Sequence, residues 1–317
     1  MKFVPGGGTN MFRDSVVVCS VWAFLGVAVT AQEVTITPRP RVQAVNMPRA
    51  NLRMDVQMVQ IPVTVTDLRG KPLVDLSKTN FRVFEDEVEK PISAFFTADT
   101  PLSTGVVFDS SRSMKNRLQD ARQSVEQFLR TGSTGDEYFL IRFSDEAKML
   151  APFTADTEEI ARQLGSIEAK GWTALNDSIV LAANQSRKAR NHRKALLVIS
   201  DGGDNNSRYT VGEMISILRE ADLRVYAVSI FERSQLLEKI CEETGGRALW
   251  VRKLGDLPDI MERLSQEMRS EYIVGFTPDG RQNDGRYHKV RIAVEPPAGM
   301  PQVRTSWRHG YFAPEEN

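Results

Sequence analysis

A repeated alternation of short apolar runs and amphipathic stretches constrains this chain more than any other feature. The runs are Thr104–Phe108, Tyr138–Phe143, Ala195–Ser200, Arg224–Ile230 and Ala248–Val251. Between and after them, apolar residues recur at helical spacing. Met114, Leu118, Ala121, Val125, Phe128 and Leu129 share one helical face, as do Ile160, Leu164 and Ile167. Val211, Met214, Ile215 and Leu218 form another stripe, and Leu257, Ile260, Met261, Leu264 and Met268 a fourth. Strands this short and this apolar are buried on both faces, and strands alternating with helices pair in parallel. The expectation is an α/β domain, a doubly wound and mostly parallel sheet flanked by helices.

Two flanking segments follow a different rhythm. Val56–Thr66, Phe81–Asp86 and Ile92–Phe96 read as strands, with turn chemistry around Gly70. Residues 55–98 therefore make a small accessory all-β module with few strands for independent stability. After Glu271 the β character returns in Tyr272–Phe276, His288–Val294 and Gln302–Trp307. Residues 271–312 are expected to pack with 55–98, since neither fragment is self-sufficient.

The N-terminus reads as a targeting segment. Lys2 and Arg13 precede an uncharged apolar run from Val16 to about Val29, and Val29-Thr30-Ala31 offers the small residues of a cleavage site. Residues 1–31 are expected to be a signal peptide, with an uncleaved membrane anchor as the competing reading. No lipid anchor is evident, because Cys19 lies inside the apolar run. The protein is then exported: periplasmic, cell-surface or extracellular. Residues 32–54, rich in proline and arginine, read as a linker. Cys241 would be the remaining cysteine, with no partner for an internal disulfide, and reads as a buried, inert thiol.

Composition narrows the function. The chain has 41% hydrophobic and 26% charged residues, as soluble domains do, and its 41 basic and 41 acidic residues leave no net charge. Nucleic-acid binding normally leaves a basic footprint, so none is expected.

The chemistry concentrates at strand ends. Asp109-Ser110-Ser111-Arg112-Ser113 follows the apolar Gly105–Phe108. In an extended segment alternate side chains point the same way, so Asp109, Ser111 and Ser113 can present three oxygens to one point. Ligands of open parallel sheets bind at the carboxyl ends of strands, near a topological switch point. Two further strand-end segments carry oxygen donors: Thr173, in Lys170–Asp177, and Asp201, ending Leu196–Ser200 before Gly202-Gly203. Carboxylates and hydroxyls are hard ligands, suited to Mg²⁺, Mn²⁺ or Ca²⁺. Taken singly, each has a plainer role: Ser113 and Thr173 could cap the helices that follow, and Asp201 could hold a turn. Capping accounts for one hydroxyl per helix, not three alternating oxygens with matching donors elsewhere.

In order and spacing, D-x-S-x-S, G-x-T-A-L-x-D and a buried strand ending in S-D-G resemble the metal-ion-dependent adhesion site of von Willebrand factor type A domains. The resemblance covers residues 100–270, with Phe143-Ser144-Asp145 and Pro152-Phe153-Thr154 as further landmarks. By position alone, Asp145 reads as orienting the site or as an ordinary loop aspartate, Trp172 as a rim contact or a packed aromatic, Asp177 as tuning or capping its helix, and Asp204 and Asn205 as turn residues. The resemblance implies a Rossmann-like fold and a metal held by Asp109, Ser111, Ser113, Thr173 and Asp201. It implies a protein partner presenting a Glu or Asp carboxylate to a divalent cation. The β-rich start with Phe81–Asp86 and the ending near Gly310-Tyr311-Phe312 resemble an acidobacterial-type, VWFA-related bacterial family.

Catalysis is not expected. A metal-assisted hydrolase would need a general base or a positioned lysine, and His192, His288 and His309 lie outside these loops. A structural envelope role, with metal only stabilising loops, is the other alternative.

Overall fold

The computed structural model describes residues 58–98, 100–278, 284–296, 299 and 302–314. The expected leader (1–31) and linker (32–54) lie outside these residues. Among the described residues, no helix is long and apolar enough to cross a membrane.

The central sheet has six strands: β5 (Leu102–Asp109), β6 (Glu137–Phe143), β7 (Ala147–Thr154), β8 (Arg193–Ser200), β9 (Arg224–Ile230) and β10 (Ala248–Val251), in the order β10-β9-β8-β5-β6-β7. Pairing is parallel except between β6 and β7. β5 and β9 are buried along their whole length, which explains their unbroken apolar character. Alternate residues enter two cores. Val106, Phe108, Leu197, Ile199 and Val228 face α1 (Leu118–Arg130), α2 (Thr157–Gly165) and α6 (Leu257–Arg269). Val107, Phe139, Ile141, Val198 and Val225 face α3 (Leu175–Ser186), α4 (Val211–Glu220) and α5 (Gln235–Thr244). Each such fully buried side chain contributes about 1.5–3 kcal/mol. The sheet is thus covered on both faces, as expected. Cys241 sits in the second core, fully buried, and burial pushes its thiol pKa up, which keeps it unreactive.

Two elements around the central sheet differ from expectation. The regular helix α1 begins at Leu118, not near Met114, because Arg112–Asn116 form a 3-10 turn that still buries Met114. β7 was not anticipated as a strand. Pro152 interrupts its apolar pattern, and proline is tolerated there because β7 is an edge strand whose ladder with β6 is already irregular.

The flanking strands form two four-stranded antiparallel sheets. β1 (Val59–Asp67) lies between β13 (Val303–Trp307) and β11 (Glu271–Phe276), with β4 (Ile92–Ala98) beyond β11. The second sheet is β14 (Gly310–Phe312), β12 (Tyr287–Val294), β2 (Phe81–Glu85) and β3 (Val88–Lys90). N-terminal and C-terminal strands therefore pair with each other in both sheets. One core unites them: Ile61, Val63, Tyr272 and Val274 from the first sheet meet Phe81, Val83, Val290 and Ile292 from the second. The short β2–β3 hairpin turns at Asp86 and Glu87, both at positive φ (45° and 67°).

That turn carries a titratable cluster. His288 Nδ1 lies 2.8 Å from Asp86 Oδ2, and Nε2 lies 3.2 Å from Asp284 Oδ1. Burial draws the imidazole pKa down, but the hydrogen bonds and charges of the two carboxylates outweigh it and hold it above the ordinary 6.5. A raised folded-state pKa stabilises the fold below 6.5 and is lost as pH rises through the raised value. The melting temperature is therefore expected to fall as pH rises above about 6.5, and His288→Gln to flatten that dependence. Melting curves of both proteins across this range check it.

Candidate metal centre

The sheet order reverses at β5: the chain runs outward through β6 and β7 on one side and through β8, β9 and β10 on the other. The switch point therefore lies between β5 and β8, where the loops after these strands diverge and leave a crevice. Asp109 ends β5, and Asp201 directly follows β8.

These loops bring four of the five expected donors into one hydrogen-bonded cluster. Asp109 is fully buried, and its Oδ1 accepts from the Ser111 amide at 2.8 Å. Its Oδ2 accepts from the Ser200 hydroxyl at 2.6 Å. Ser111 Oγ and Ser113 Oγ are 3.0 Å apart, and Ser113 Oγ donates to Asp201 Oδ1 at 2.9 Å. Neither of the plainer capping roles is realised: the residue before the 3-10 turn is Ser111, with no side-chain cap bond, and α3 begins after Ala174 rather than after Thr173. The Ser111 and Ser113 hydroxyls are left to each other and to Asp201.

Thr173 joins through its loop. The loop before α3 is tied to the loop after β5 by Lys170 N to Ser110 O (2.8 Å) and Arg112 N to Gly171 O (3.1 Å). The Thr173 backbone is fixed by Asn205, whose Oδ1 accepts from Thr173 N at 2.9 Å and whose amide donates to Thr173 O at 3.0 Å. Among the described residues, no hydrogen bond joins the Thr173 hydroxyl to the other four groups.

The flanking residues act on the loops. Asp145 Oδ1 accepts from the Trp172 amide at 2.8 Å, beside Gly171 at φ +78°, where a Cβ would sit 2.2 Å from the Asp145 carboxylate. Asp145 thus holds the loop that carries Thr173, and glycine is required for that close approach. Trp172 is 66% exposed on the rim. Asp204 Oδ1 accepts from Leu175 N at 2.9 Å, so it satisfies the first turn of α3 from another loop. Asp177 accepts from the amides of Arg208 (2.8 Å) and Tyr209 (3.0 Å). Burial pushes its pKa up, but these bonds and Arg208 outweigh it and hold it low. Asp177 and Asp204 therefore fasten the loop after β8 to α3.

Electrostatics set the character of the cluster. Burial raises the Asp109 carboxyl to about 6, hydrogen bonds from Ser111 and Ser200 restrain it, and the charge of Asp201 adds to the rise. Two carboxylates that repel each other, one of them without solvent, with neutral hydroxyls between them, suit a divalent cation. The donor set is all oxygen, as Mg²⁺, Mn²⁺ or Ca²⁺ requires. Among the described residues, no group of three or more His, Cys, Asp or Glu side chains gathers, so a cation at this cluster would draw on hydroxyls for its remaining donors.

Two participants were not anticipated, Ser200 and Arg117, and Asn205, read as a turn residue, proves to fix the Thr173 backbone. Ser200 carried a signal in the hydroxyl directly preceding Asp201. Arg117 pairs with Asp201 across 84 positions, so nothing local marked it.

Comparisons with known proteins find likeness in sequence family and in fold. The model of the von Willebrand factor type A domain family matches residues 104–203. A von Willebrand factor type A structure from Catenulispora acidiphila is similar at a TM-score of 0.50 and 13% identity, covering 74% of this chain and 73% of that one. BatB from Bacteroides thetaiotaomicron, described as a conserved hypothetical protein, aligns at a TM-score of 0.44 and 18% identity, over 53% of this chain and 100% of its own. Proximal thread matrix protein 1 from the mussel byssus, with zinc in its MIDAS motif, aligns at 0.48 and 17%, over 58% and 49%. No curated protein matches the chain significantly.

Proposed function

We propose, from the match of residues 104–203 to the von Willebrand factor type A domain model and from the geometry of the cluster, that this protein is a metal-dependent binding module, not an enzyme. It captures an acidic side chain of a protein partner. Domains of this family are generally protein-interaction or adhesion modules. The observation that carries the reading is the convergence of Asp109, Ser111, Ser113 and Asp201 from two crossover loops at the sheet's switch point.

Asp109 and Asp201 would balance the charge of a divalent cation, and Ser111, Ser113 and Thr173 would add neutral donors. A bound Mg²⁺, Mn²⁺ or Ca²⁺ supplies an electrophilic position that a Glu or Asp carboxylate can occupy. The protein's own contribution is positioning. Ser200 orients Asp109, Asn205 and Asp145 fix the loop that carries Thr173, and the exposed Trp172 offers apolar contact at the rim. The three loops from which these donors come contain no histidine to act as a general base. An exported setting, expected from residues 1–31, suits such a module.

Calorimetry with Mg²⁺ or Mn²⁺ tests the proposal. The intact protein is expected to bind one ion, and Asp109→Ala to lose that binding, with affinity falling at least about a hundredfold. Thr173→Ala, which leaves the hydrogen-bonded cluster in place, is expected to weaken it less. An intact protein that binds neither ion refutes the reading.

A further inference from the structure

Asp201 does not share its two oxygens equally. Oδ1 accepts from Ser113, on the side of the metal donors. Oδ2 is paired with the Arg117 guanidinium through Nη1. The pair is substantially shielded, with the Asp201 side chain 5% and the Arg117 side chain 24% exposed. Arg117 is also held from the other side, because its guanidinium lies 4.7 Å from the centre of the Phe231 ring. Phe231 adopts φ 65°, a conformation costly for a bulky residue. It is kept there by its amide donating to Val251 O at 2.8 Å and its carbonyl accepting from Trp250 Nε1 at 2.9 Å. The loops after β5, β8 and β9 thus all contribute to one arrangement that fixes a permanent cation against a metal-site carboxylate.

We propose that Arg117 is a built-in counter-charge that sets the balance between metal affinity and anion affinity at this site. The inference rests on the metal-binding reading above. Asp109, Asp201 and Arg117 together leave one net negative charge, and a divalent ion turns that into one net positive charge. Without Arg117 the metal-free site would carry two negative charges and the loaded site none. Arg117 therefore weakens the pull on the metal and strengthens the pull of the loaded site on a carboxylate. It acts through Asp201 and through the field, as a positioning and specificity-determining residue. An arginine suits the role because it stays charged at any working pH and stacks on an aromatic face.

Mn²⁺ alone, titrated calorimetrically into the full chain, provides the test. Arg117→Gln is expected to bind Mn²⁺ on the order of tenfold more tightly. Arg117→Lys, which keeps the charge, stays near the parent value. Acetate, added to the Mn²⁺-loaded proteins and followed by water-proton relaxation, is expected to bind Arg117→Gln severalfold more weakly than the parent. Phe231→Ala, at a partly exposed ring, frees the guanidinium and shifts Mn²⁺ affinity in the same direction by a smaller factor. A folded Arg117→Gln protein that binds Mn²⁺ no more tightly than the parent overturns the proposal and leaves the metal site standing. Should Arg117→Gln fail to fold, unchanged Mn²⁺ affinity in Phe231→Ala overturns it instead. Absence of Mn²⁺ binding in the parent and every variant removes the metal reading and this inference with it.

Discussion

Replacing Glu271 with alanine is expected to lower the unfolding free energy by about 3–5 kcal/mol, the cost of removing one partner from a buried ion pair. Glu271 opens β11 directly after α6, and its carboxylate is shared by two arginines. Arg193 Nε donates to Oε2 at 3.0 Å, and Arg224 Nη1 pairs with Oε1. All three side chains are nearly enclosed. Both arginines are the first residues of their strands, β8 and β9, at the end of the sheet opposite the loops of the candidate site. Each also ties in neighbours. Arg193 donates to Met268 O at 2.7 Å and Thr100 O at 2.9 Å; Arg224 donates to Gly245 O at 2.9 Å and Thr64 Oγ1 at 3.2 Å. Alanine would strand two guanidinium charges in that setting, whereas Glu271→Gln would keep acceptor capacity and cost less. Thermal unfolding should show a melting temperature lower by about 10 °C for alanine. A shift within about 2 °C would mean that the arginines find other partners or water.

The knot around Glu271 also shows what the amino-acid sequence could and could not disclose. The central strands were legible because burial on both faces writes itself into consecutive residues, as in Leu196–Ile199. The helices were legible because a buried stripe has a local period, as in α6. The start of α1 was not, because Met114 sits on the same stripe whether its turn is 3-10 or α. β7 escaped because Pro152 and Lys148 dilute its pattern at a sheet edge. At the candidate site the donors were legible as motifs, since D-x-S-x-S places three oxygens by backbone alternation alone. The roles of Asp177 and Asp204 were not, because each bonds to backbone amides of a distant segment, Asp177 to the loop after β8, 31 residues on, and Asp204 to the first turn of α3, 29 residues back. Arg117 was invisible for the same physical reason as Glu271. An ion pair between residues brought together by the fold leaves no periodicity, and an arginine beside a helix start looks like any solvated charge.

Metal affinity is expected to fall by about tenfold per pH unit below about 6, because a proton and the cation compete for Asp109. In the metal-free protein burial holds that carboxyl near 6, well above its ordinary 3.8. The sign follows from that direction. A folded-state pKa above the unfolded one means that the folded protein binds the proton more tightly. The associated stability is present in full below 3.8 and is lost as pH rises through about 6. At neutral pH the metal-free fold therefore carries a penalty of about 3 kcal/mol for keeping Asp109 ionised and buried. A divalent cation removes that penalty, so metal should raise the melting temperature strongly at pH 7 and weakly at pH 5. Asp109→Asn separates the two effects. It cannot ionise, so it should be more stable than the parent without metal at pH 7, and its stability should not respond to Mg²⁺. The same change should remove the part of the pH dependence of the metal-free melting temperature between pH 7 and pH 5 that Asp109 causes, and leave the part set by His288. Mg²⁺ affinity that stays constant over that interval would show that the cation is not held by this carboxylate. A less stable Asp109→Asn protein would show that the ionised form is favoured by the fold itself, and that the crevice between β5 and β8 is poised for a negative charge rather than for a metal to neutralise it.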